Sequence, residues 1–347
     1  MSFKRLFPVV ALSMGMTACD LIEGFLGEGD DPSLTAAADD ALNSGDLPGA
    51  AARYDQLSVE HPDSVYVATG AAYSLLLQGR YDEADAALAR VQPNANEEQL
   101  PELHLRRAII ALRTNDLDAV GEHGAASGLG PGLVLAAEVH LADLDTDKAK
   151  SLLERAASSG GAAGETAKEY LEMLDSDDHV LVGLAEATAL WALGSRDVAV
   201  EAAEDLVKAL PDDDPSKDEL LLLWAGRAAT SGRPAVGLSM MDAIQFPPKG
   251  QAWREQATLA ILATADGRDD EAKEIFQSLT KAGAPKDGLA DALATAASLA
   301  AKRSDAKSLA ISVETVSAAR GLSAARASAA AKQVAPPSMY RDFLESQ

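Results

Sequence analysis

The sequence predicts an all-α fold built from repeated pairs of helices that stack on one another. Gly45 and Gly79 stand 34 residues apart, and each leads into a helix with alanine five residues later and a large side chain nine residues later. A period of this length is typical of a helix–turn–helix unit that buries its apolar face against its own copies. Composition agrees, because 47% of the residues are hydrophobic and only 4% are aromatic, as in closely packed helices with small side chains.

Turn residues mark the expected helix pairs along the chain. The clearest pairs are predicted over about 31–64 and 65–98, and looser ones follow at about 101–128 and 131–158. Asparagine and glycine suit these turns because both adopt the left-handed backbone conformation more readily than other residues. The predicted turn residues are Gly45, Gly79, Asn115, Leu144, Gly194, Gly232, Gly267 and Ser304. We therefore predict an α-solenoid of about seven to eight pairs.

One spacing breaks the pattern. Leu144 and Gly194 are 50 residues apart, whereas the other spacings lie between 29 and 38. An extra helix near Glu165–Asp175 would fill the excess. We accordingly divide the chain into segments: an array over 33–160, a connector with the extra helix over 161–178, a second array with a capping helix over 179–335, and a tail over 336–347.

The turn residue, the alanine behind it and the large residue that follows together resemble the tetratricopeptide repeat (TPR) family, over most of residues 33–320. The resemblance implies that positions 2, 5, 9 and 12 of the first helix in each pair line a concave groove where peptides bind. The candidate groove residues on that mapping are Tyr66, Thr69, Tyr73, Leu105, Ile109, Glu138 and Trp191. The alternative is that close packing, or the chain's own termini, covers these side chains.

The N-terminus has the features of a bacterial export signal. Lys4 and Arg5 precede an apolar run too short to span a bilayer, and the run ends in Thr17-Ala18-Cys19. This ending resembles the lipobox of bacterial lipoproteins, which implies a signal peptide over 1–18, lipidation of Cys19 by acyl chains such as palmitate, and a tether over 19–32. The alternative is an ordinary secretory signal with an incidental cysteine. Lipidation would place the protein in the cell envelope, facing the periplasm, with inner or outer membrane undecided.

Charge and cysteine content exclude several classes of protein. With 54 acidic and 30 basic residues the net charge is −24, which repels phosphate backbones and makes nucleic acid an unsuitable partner. Cys19 is the only cysteine, so the chain has no internal disulfide and no cysteine metal cluster. The acidic composition indicates solubility, and the alternative is a role in binding basic partners.

No motif for catalysis or metal binding stands out. Asp143, Asp145, Asp147 and Glu154 match acidic positions of a calcium loop, but Lys148 stands where that loop needs glycine. We interpret this segment as an acidic turn between two repeat helices. The five histidines have no metal-ligand spacing, and phosphate-loop, dinucleotide and serine-nucleophile motifs are absent from the sequence. We predict no enzyme activity, no cofactor and no resident metal.

These observations favour a membrane-anchored periplasmic scaffold that binds a protein partner and helps to assemble or stabilise an envelope complex. The alternative is a chaperone-like holdase that uses the apolar groove for many exported polypeptides. A hydrolytic or metal-dependent enzyme using Asp143, Asp145 or Glu154 is the third and weakest hypothesis.

Overall fold

The predicted all-α class is confirmed by a computed structural model that describes residues 32–176, 178–214, 216–245 and 252–303. These residues form sixteen α-helices and one short 3-10 helix, Gln92–Asn94. The first nine are α1 Pro32–Ser44, α2 Leu47–Glu60, α3 Val65–Leu77, α4 Tyr81–Val91, α5 Leu100–Thr114, α6 Leu117–Ser127, α7 Gly130–Ala142, α8 Thr146–Ala157 and α9 Gly161–Leu174. The other seven are α10 His179–Ala192, α11 Arg196–Ala209, α12 Lys217–Thr230, α13 Pro234–Asp242, α14 Ala252–Ala265, α15 Asp269–Lys281 and α16 Lys286–Arg303.

The helices fall into two units, and the boundary between the units lies within α10. The N-terminal unit holds residues 32–176 together with Thr188–Gly194, and the C-terminal unit holds Asp178–Ala187 together with residues 195–303. In the N-terminal unit each helix from α1 to α9 packs against the next along the chain, and α5 and α9 also pack against α7. In the C-terminal unit α11 to α16 pack in the same consecutive way, and α14 also packs against α12 and α16. Each unit is therefore a stack of helix pairs.

The predicted turns have the backbone conformation that the sequence requires. The φ angles are 83° at Gly45, 73° at Gly79, 59° at Asn115, 61° at Leu144, 91° at Gly194, 81° at Gly232 and 83° at Gly267. Ser304, the eighth predicted turn, lies outside the described residues. The residues five positions after the seven turns are all buried: Ala50, Ala84, Val120, Ala149, Ala199, Gly237 and Ala272. The turn and the buried residue five positions later therefore recur in the structure at the positions that the sequence repeat predicts.

Aspartates that follow a turn residue begin the second helix of three pairs. The carboxylate of Asp46 accepts a hydrogen bond from the Gly49 N–H at 3.0 Å. At the start of α6 the carboxylate of Asp116 accepts one from the Ala119 N–H. Asp145 accepts from the N–H of Lys148 at 3.3 Å and forms an ion pair with its amine at 2.7 Å. N-terminal caps of this kind satisfy backbone donors that the helix leaves open. The acidic segment around Asp145 thus acts as a turn and a helix cap.

Small residues set how closely neighbouring helices approach. A Cβ atom added to Gly124 on α6 would lie 2.6 Å from the carbonyl oxygen of Gly132 on α7. In the C-terminal unit a Cβ atom on Gly237 would lie 2.8 Å from the carbonyl oxygen of Ala225 and 2.4 Å from the side chain of Leu262. All three distances are below normal contact, so only glycine allows these helices to come so near.

Helix α9 lies where the sequence predicted an additional helix, although it begins at Gly161, four residues before the expected start. It packs against both α8 and α7. Thr166, Ala167, Tyr170 and Met173 are among the buried residues of this helix. In the stack α9 therefore occupies the place that the first helix of a fifth pair would take.

The strained turn at Leu144 leads to a stability prediction. A side chain in the left-handed region costs about 1–2 kcal/mol, and Leu144 is 71% exposed, so its side chain has little packing to lose. We expect Leu144→Gly to raise the free energy of unfolding by about 0.5–1 kcal/mol, since the strain relieved exceeds the entropy cost of glycine. Gly79→Ala is the reverse change at a turn whose Cβ would meet nothing within 4 Å. It should lower the same quantity by about 1 kcal/mol. Urea denaturation measures both, and a loss of stability in Leu144→Gly would contradict the strain.

The α6–α7 contact gives a second prediction with a control on the same helix. Gly124→Ala should destabilise the protein by about 1–3 kcal/mol, because the new methyl group meets backbone that cannot rotate away. Gly121, one turn earlier, has Val139 as its nearest neighbour, with the Cβ 3.6 Å from a methyl group. Gly121→Ala should therefore stabilise the helix by about 0.5–1 kcal/mol. Thermal unfolding of the two variants checks this, and equal melting temperatures would refute the close approach.

Candidate partner-binding face

The face predicted to bind a partner is more buried than the repeat pattern implies. In the N-terminal unit the structure buries Thr69, Leu105 and Glu138. Trp191, on the segment of α10 that belongs to this unit, is also buried. Tyr66, Tyr73 and Ile109 are the three candidates that remain partly exposed. The side chains accessible to a partner on this face therefore lie on α3 and α5, and α7 presents its predicted position to the interior.

Helix α9 accounts for the burial on α7. The hydroxyl group of Tyr170 on α9 donates a hydrogen bond to the Glu138 carboxylate on α7, with the two oxygens 3.0 Å apart, and both side chains are buried. A buried carboxylate needs such donors because its charge has lost water. The sequence revealed the extra helix but not this partner, since 32 residues separate the two side chains.

Three hydroxyl groups converge on the Asp39 carboxylate at the other end of the N-terminal unit. Thr35 donates to Oδ2 at 2.7 Å, and Tyr54 of α2 donates a short hydrogen bond to Oδ1. The Tyr66 hydroxyl lies 3.4 Å from Oδ2 and brings α3 into the same cluster. Burial raises the pKa of Tyr54 far above its usual range, and the hydrogen bond to Asp39 raises it further. Tyr66, one of the partly exposed face residues, is thus oriented by the packing of α1 and α2.

A chain of polar side chains, which we call the Arg107 relay, crosses α4, α5 and α6 where the second and third pairs meet. Arg107 donates two hydrogen bonds to the Asp85 carboxylate, at 2.7 Å from Nε and 3.0 Å from Nη2, and its Nη1 donates to Gln92 Oε1 at 2.7 Å. Gln92 Nε2 lies 3.4 Å from His104 Nε2. His104 Nδ1 in turn lies 3.1 Å from His123 Nδ1. The relay comprises these five side chains.

The pKa values of both imidazoles of the relay are lowered. Burial lowers the pKa of His104 and of His123, and the positive charge of Arg107 lowers the pKa of both further. Glu122 acts the opposite way on each ring. Sequence spacing gave no indication of the pair, because the two histidines are 19 residues apart on different helices.

The described residues contain neither a metal-binding cluster nor a membrane-spanning helix. Within the described ranges no group of three or more histidine, cysteine, aspartate or glutamate side chains is arranged to hold a metal ion. None of the helices there is both long enough and apolar enough to cross a membrane. Cys19 and the segments 1–18 and 19–32 lie outside the described residues, apart from the first residue of α1, so lipidation stays a prediction.

The helix pairs are TPR-like. Seven left-handed turns recur along the described residues, and the residue five positions after each turn is buried. No family model matches the chain, and no curated protein does. Among solved structures it is similar to the TPR domain of P58(IPK), with 15% sequence identity and a TM-score of 0.21, over 89% of this chain and 94% of that one. At that score the superposition adds nothing to the architecture seen directly.

The link between α7 and α9 gives a third prediction. Tyr170→Phe removes the hydroxyl that the buried Glu138 accepts from, so the free energy of unfolding should fall by about 1–3 kcal/mol. Tyr81→Phe is the matched control, because Tyr81 is half-buried on α4 and its hydroxyl forms none of the hydrogen bonds found among the described residues. Chemical denaturation should separate the two variants, and equal stability would show that the Tyr170 hydroxyl is dispensable.

Proposed function

We propose that the chain is a lipid-anchored scaffold of a bacterial cell envelope, which holds a protein partner on the first helices of its pairs. The observation that supports binding is the partly exposed set Tyr66, Tyr73 and Ile109 on α3 and α5. Tyrosine and large aliphatic side chains are suited to anchoring a partner because they bury much area when they are covered. Anchoring is supported by the sequence alone, through the apolar run that ends at Cys19.

The distribution of charge favours the same face. The second helices of the pairs present exposed carboxylates to solvent, such as Asp82 and Glu83 on α4 and Asp118 on α6. Charged side chains are depleted at the centres of protein interfaces, whereas aromatic residues are enriched there. An amphipathic helix or an extended segment of the partner would therefore seat on α3 and α5.

Lipid attachment would supply the location. Each buried methylene group contributes about 0.8 kcal/mol, so more than one acyl chain on Cys19 would hold the protein stably at a membrane without a spanning helix. Tethered in this way, the stacked pairs would stand at the membrane surface and present their face to an envelope complex that they help to assemble or stabilise.

Site-specific photocrosslinking tests the binding face. A photoreactive amino acid replaces Tyr73 or Ile109 in cells, with Asp118 as the matched position on an exposed helix surface. We expect one discrete crosslinked protein from detergent-solubilised membranes at Tyr73 and Ile109, and none at Asp118. The same product at all three positions, or no product at any, would overturn the assignment of the face. Many products of similar yield would identify a holdase instead of a scaffold.

The anchor is tested separately with Cys19→Ala. Wild-type protein should sediment with membranes and need detergent for release, whereas Cys19→Ala should appear in the soluble or unprocessed fraction. Membrane association of Cys19→Ala equal to that of the wild type would remove the lipid anchor from the proposal. The crosslinking result would still decide the scaffold function, so the two parts fail independently.

A further inference from the structure

The hydrogen-bond partners of the Arg107 relay fix the tautomers of both histidines. Arg107 has only donors, so the Gln92 atom it contacts must be the amide oxygen, and the amide NH₂ group must then face His104. His104 Nε2 therefore accepts and carries no proton. The ring proton of neutral His104 resides on Nδ1, which donates to Nδ1 of His123. His123 then carries its own proton on Nε2.

From Arg107 through Gln92 and His104 to His123, each side chain donates to the next. The ring nitrogens that face a neighbour and carry no proton are the acceptors of these bonds, so a proton added to either one would set two donors against each other. Protonation of His104 at Nε2 would turn an N–H group toward the NH₂ group of Gln92. Rotation of that amide would only move the conflict to Arg107. Protonation of His123 at Nδ1 would set two N–H groups against each other across the present 3.1 Å. The tautomer of His104 that could accept from His123 instead carries its proton on Nε2 and again opposes Gln92. A single proton thus breaks at least one link.

We propose that the Arg107 relay is an acid-sensitive joint between the second and third helix pairs. At neutral pH two uncharged imidazoles complete a continuous set of hydrogen bonds from α4 through the 3-10 helix to α5 and α6. Proton uptake opens the set at the link between the 3-10 helix and α5 or at the link between α5 and α6, while the bonds between Arg107 and Asp85 remain. The joint acts through geometry, and it needs no ligand.

Among the surrounding charges, Arg107 favours neutral imidazoles, whereas Glu122, and for His123 also Asp85, act more weakly in the opposite direction. Asp85 on α4 is held by two hydrogen bonds from Arg107, and the 3-10 helix contributes the uncharged Gln92. Arg107 on α5 opposes a second positive charge, while Glu122 on α6 is exposed to solvent. Helix α7, which also packs against α5 and α6, carries Glu138, whose carboxylate accepts from Tyr170 of α9.

The sign of the pH effect follows from linkage. Histidine in an unfolded chain titrates near pH 6.5, and burial together with Arg107 lowers the pKa of both rings in the folded protein. As the pH falls below about 6.5 the unfolded chain takes up protons that the folded chain does not. The relay therefore contributes fully to stability above that pH, and its contribution is lost as the pH falls through the folded-state pKa values.

Nitrogen-15 spectra of the imidazole rings in the full chain test the tautomers directly. We expect the Nδ1–H form for His104 and the Nε2–H form for His123 at pH 7.5, and titration midpoints for both below about 6.5, the ordinary value of histidine. An Nε2–H form for His104, or titration midpoints of both rings at or above about 6.5, would overturn the proposal. This measurement needs no variant and so does not depend on one folding.

Gln92→Glu replaces the donor that faces His104 with an acceptor and so tests the link between these two side chains. A carboxylate accepts from Arg107 and from a protonated His104 Nε2 alike, so the titration midpoint of His104 should rise above its wild-type value. Gln56→Glu, on the exposed surface of α2, adds the same charge away from the relay. An unchanged His104 midpoint in Gln92→Glu, equal to that in Gln56→Glu, would refute the link through Gln92.

Urea denaturation connects the relay to stability. Between pH 7.5 and pH 5 the midpoint should fall further for the wild type than for His123→Gln, which has no ring to titrate there. His61→Gln should retain the wild-type dependence. Hydrogen exchange of wild-type amides at the α4–α5 junction, corrected for intrinsic rates, should accelerate over the same range. Equal pH dependence in all three proteins, or exchange that does not change, would contradict the joint.

Discussion

Close approach between neighbouring helices is the constraint on which the rest of this structure depends. The second helix of each pair can return against the first only if the turn adopts a left-handed conformation and the residue five positions later is small enough to lie in the contact. Gly79 and Ala84 meet both conditions in the clearest pair, and Gly45 and Ala50 meet them in the pair before it. Helices that approach closely gain dispersion contacts along their whole length, which compensates for the scarcity of large side chains.

The same constraint explains how much of the fold was predictable. A positive φ angle excludes most residue types, so the turns are visible in the sequence as glycine or asparagine, and all seven that the structure describes are where the sequence placed them. Leu144 is the informative exception, because leucine disfavours a left-handed turn and its backbone is left-handed nonetheless. The packing of the two flanking helices imposes the left-handed conformation at Leu144 against this preference.

The binding face was predictable only in part, for a physical reason. Helical periodicity states which side of a helix a residue occupies, but it does not state what lies on that side. Ile109 and Glu138 hold equivalent positions in the frame, yet Ile109 is half-buried and Glu138 is covered by Tyr170. The Arg107 relay was invisible for a related reason, since its members are distributed over three helices and a 3-10 turn. Contacts made across helices carry no local signature in the chain.

Polar links inside an alanine-rich stack have a role that apolar packing cannot fill. Away from close approaches such as the one at Gly124, surfaces of small, similar side chains resemble one another, so apolar packing there discriminates weakly between neighbouring registers. Hydrogen bonds depend on direction and distance, and the bond between Glu138 and Tyr170 is satisfied in one register only. The same holds for Asp39 with its three hydroxyl donors, and for Arg227, whose guanidinium lies 4.3 Å from the centre of the Trp224 ring in α12. Buried polar groups often cost more in desolvation than they return, so their value here lies in specifying one arrangement among several of similar packing energy. A relay that loses a histidine link on protonation therefore specifies the register of the second and third pairs less strictly, while the apolar contacts and the bonds between Arg107 and Asp85 persist.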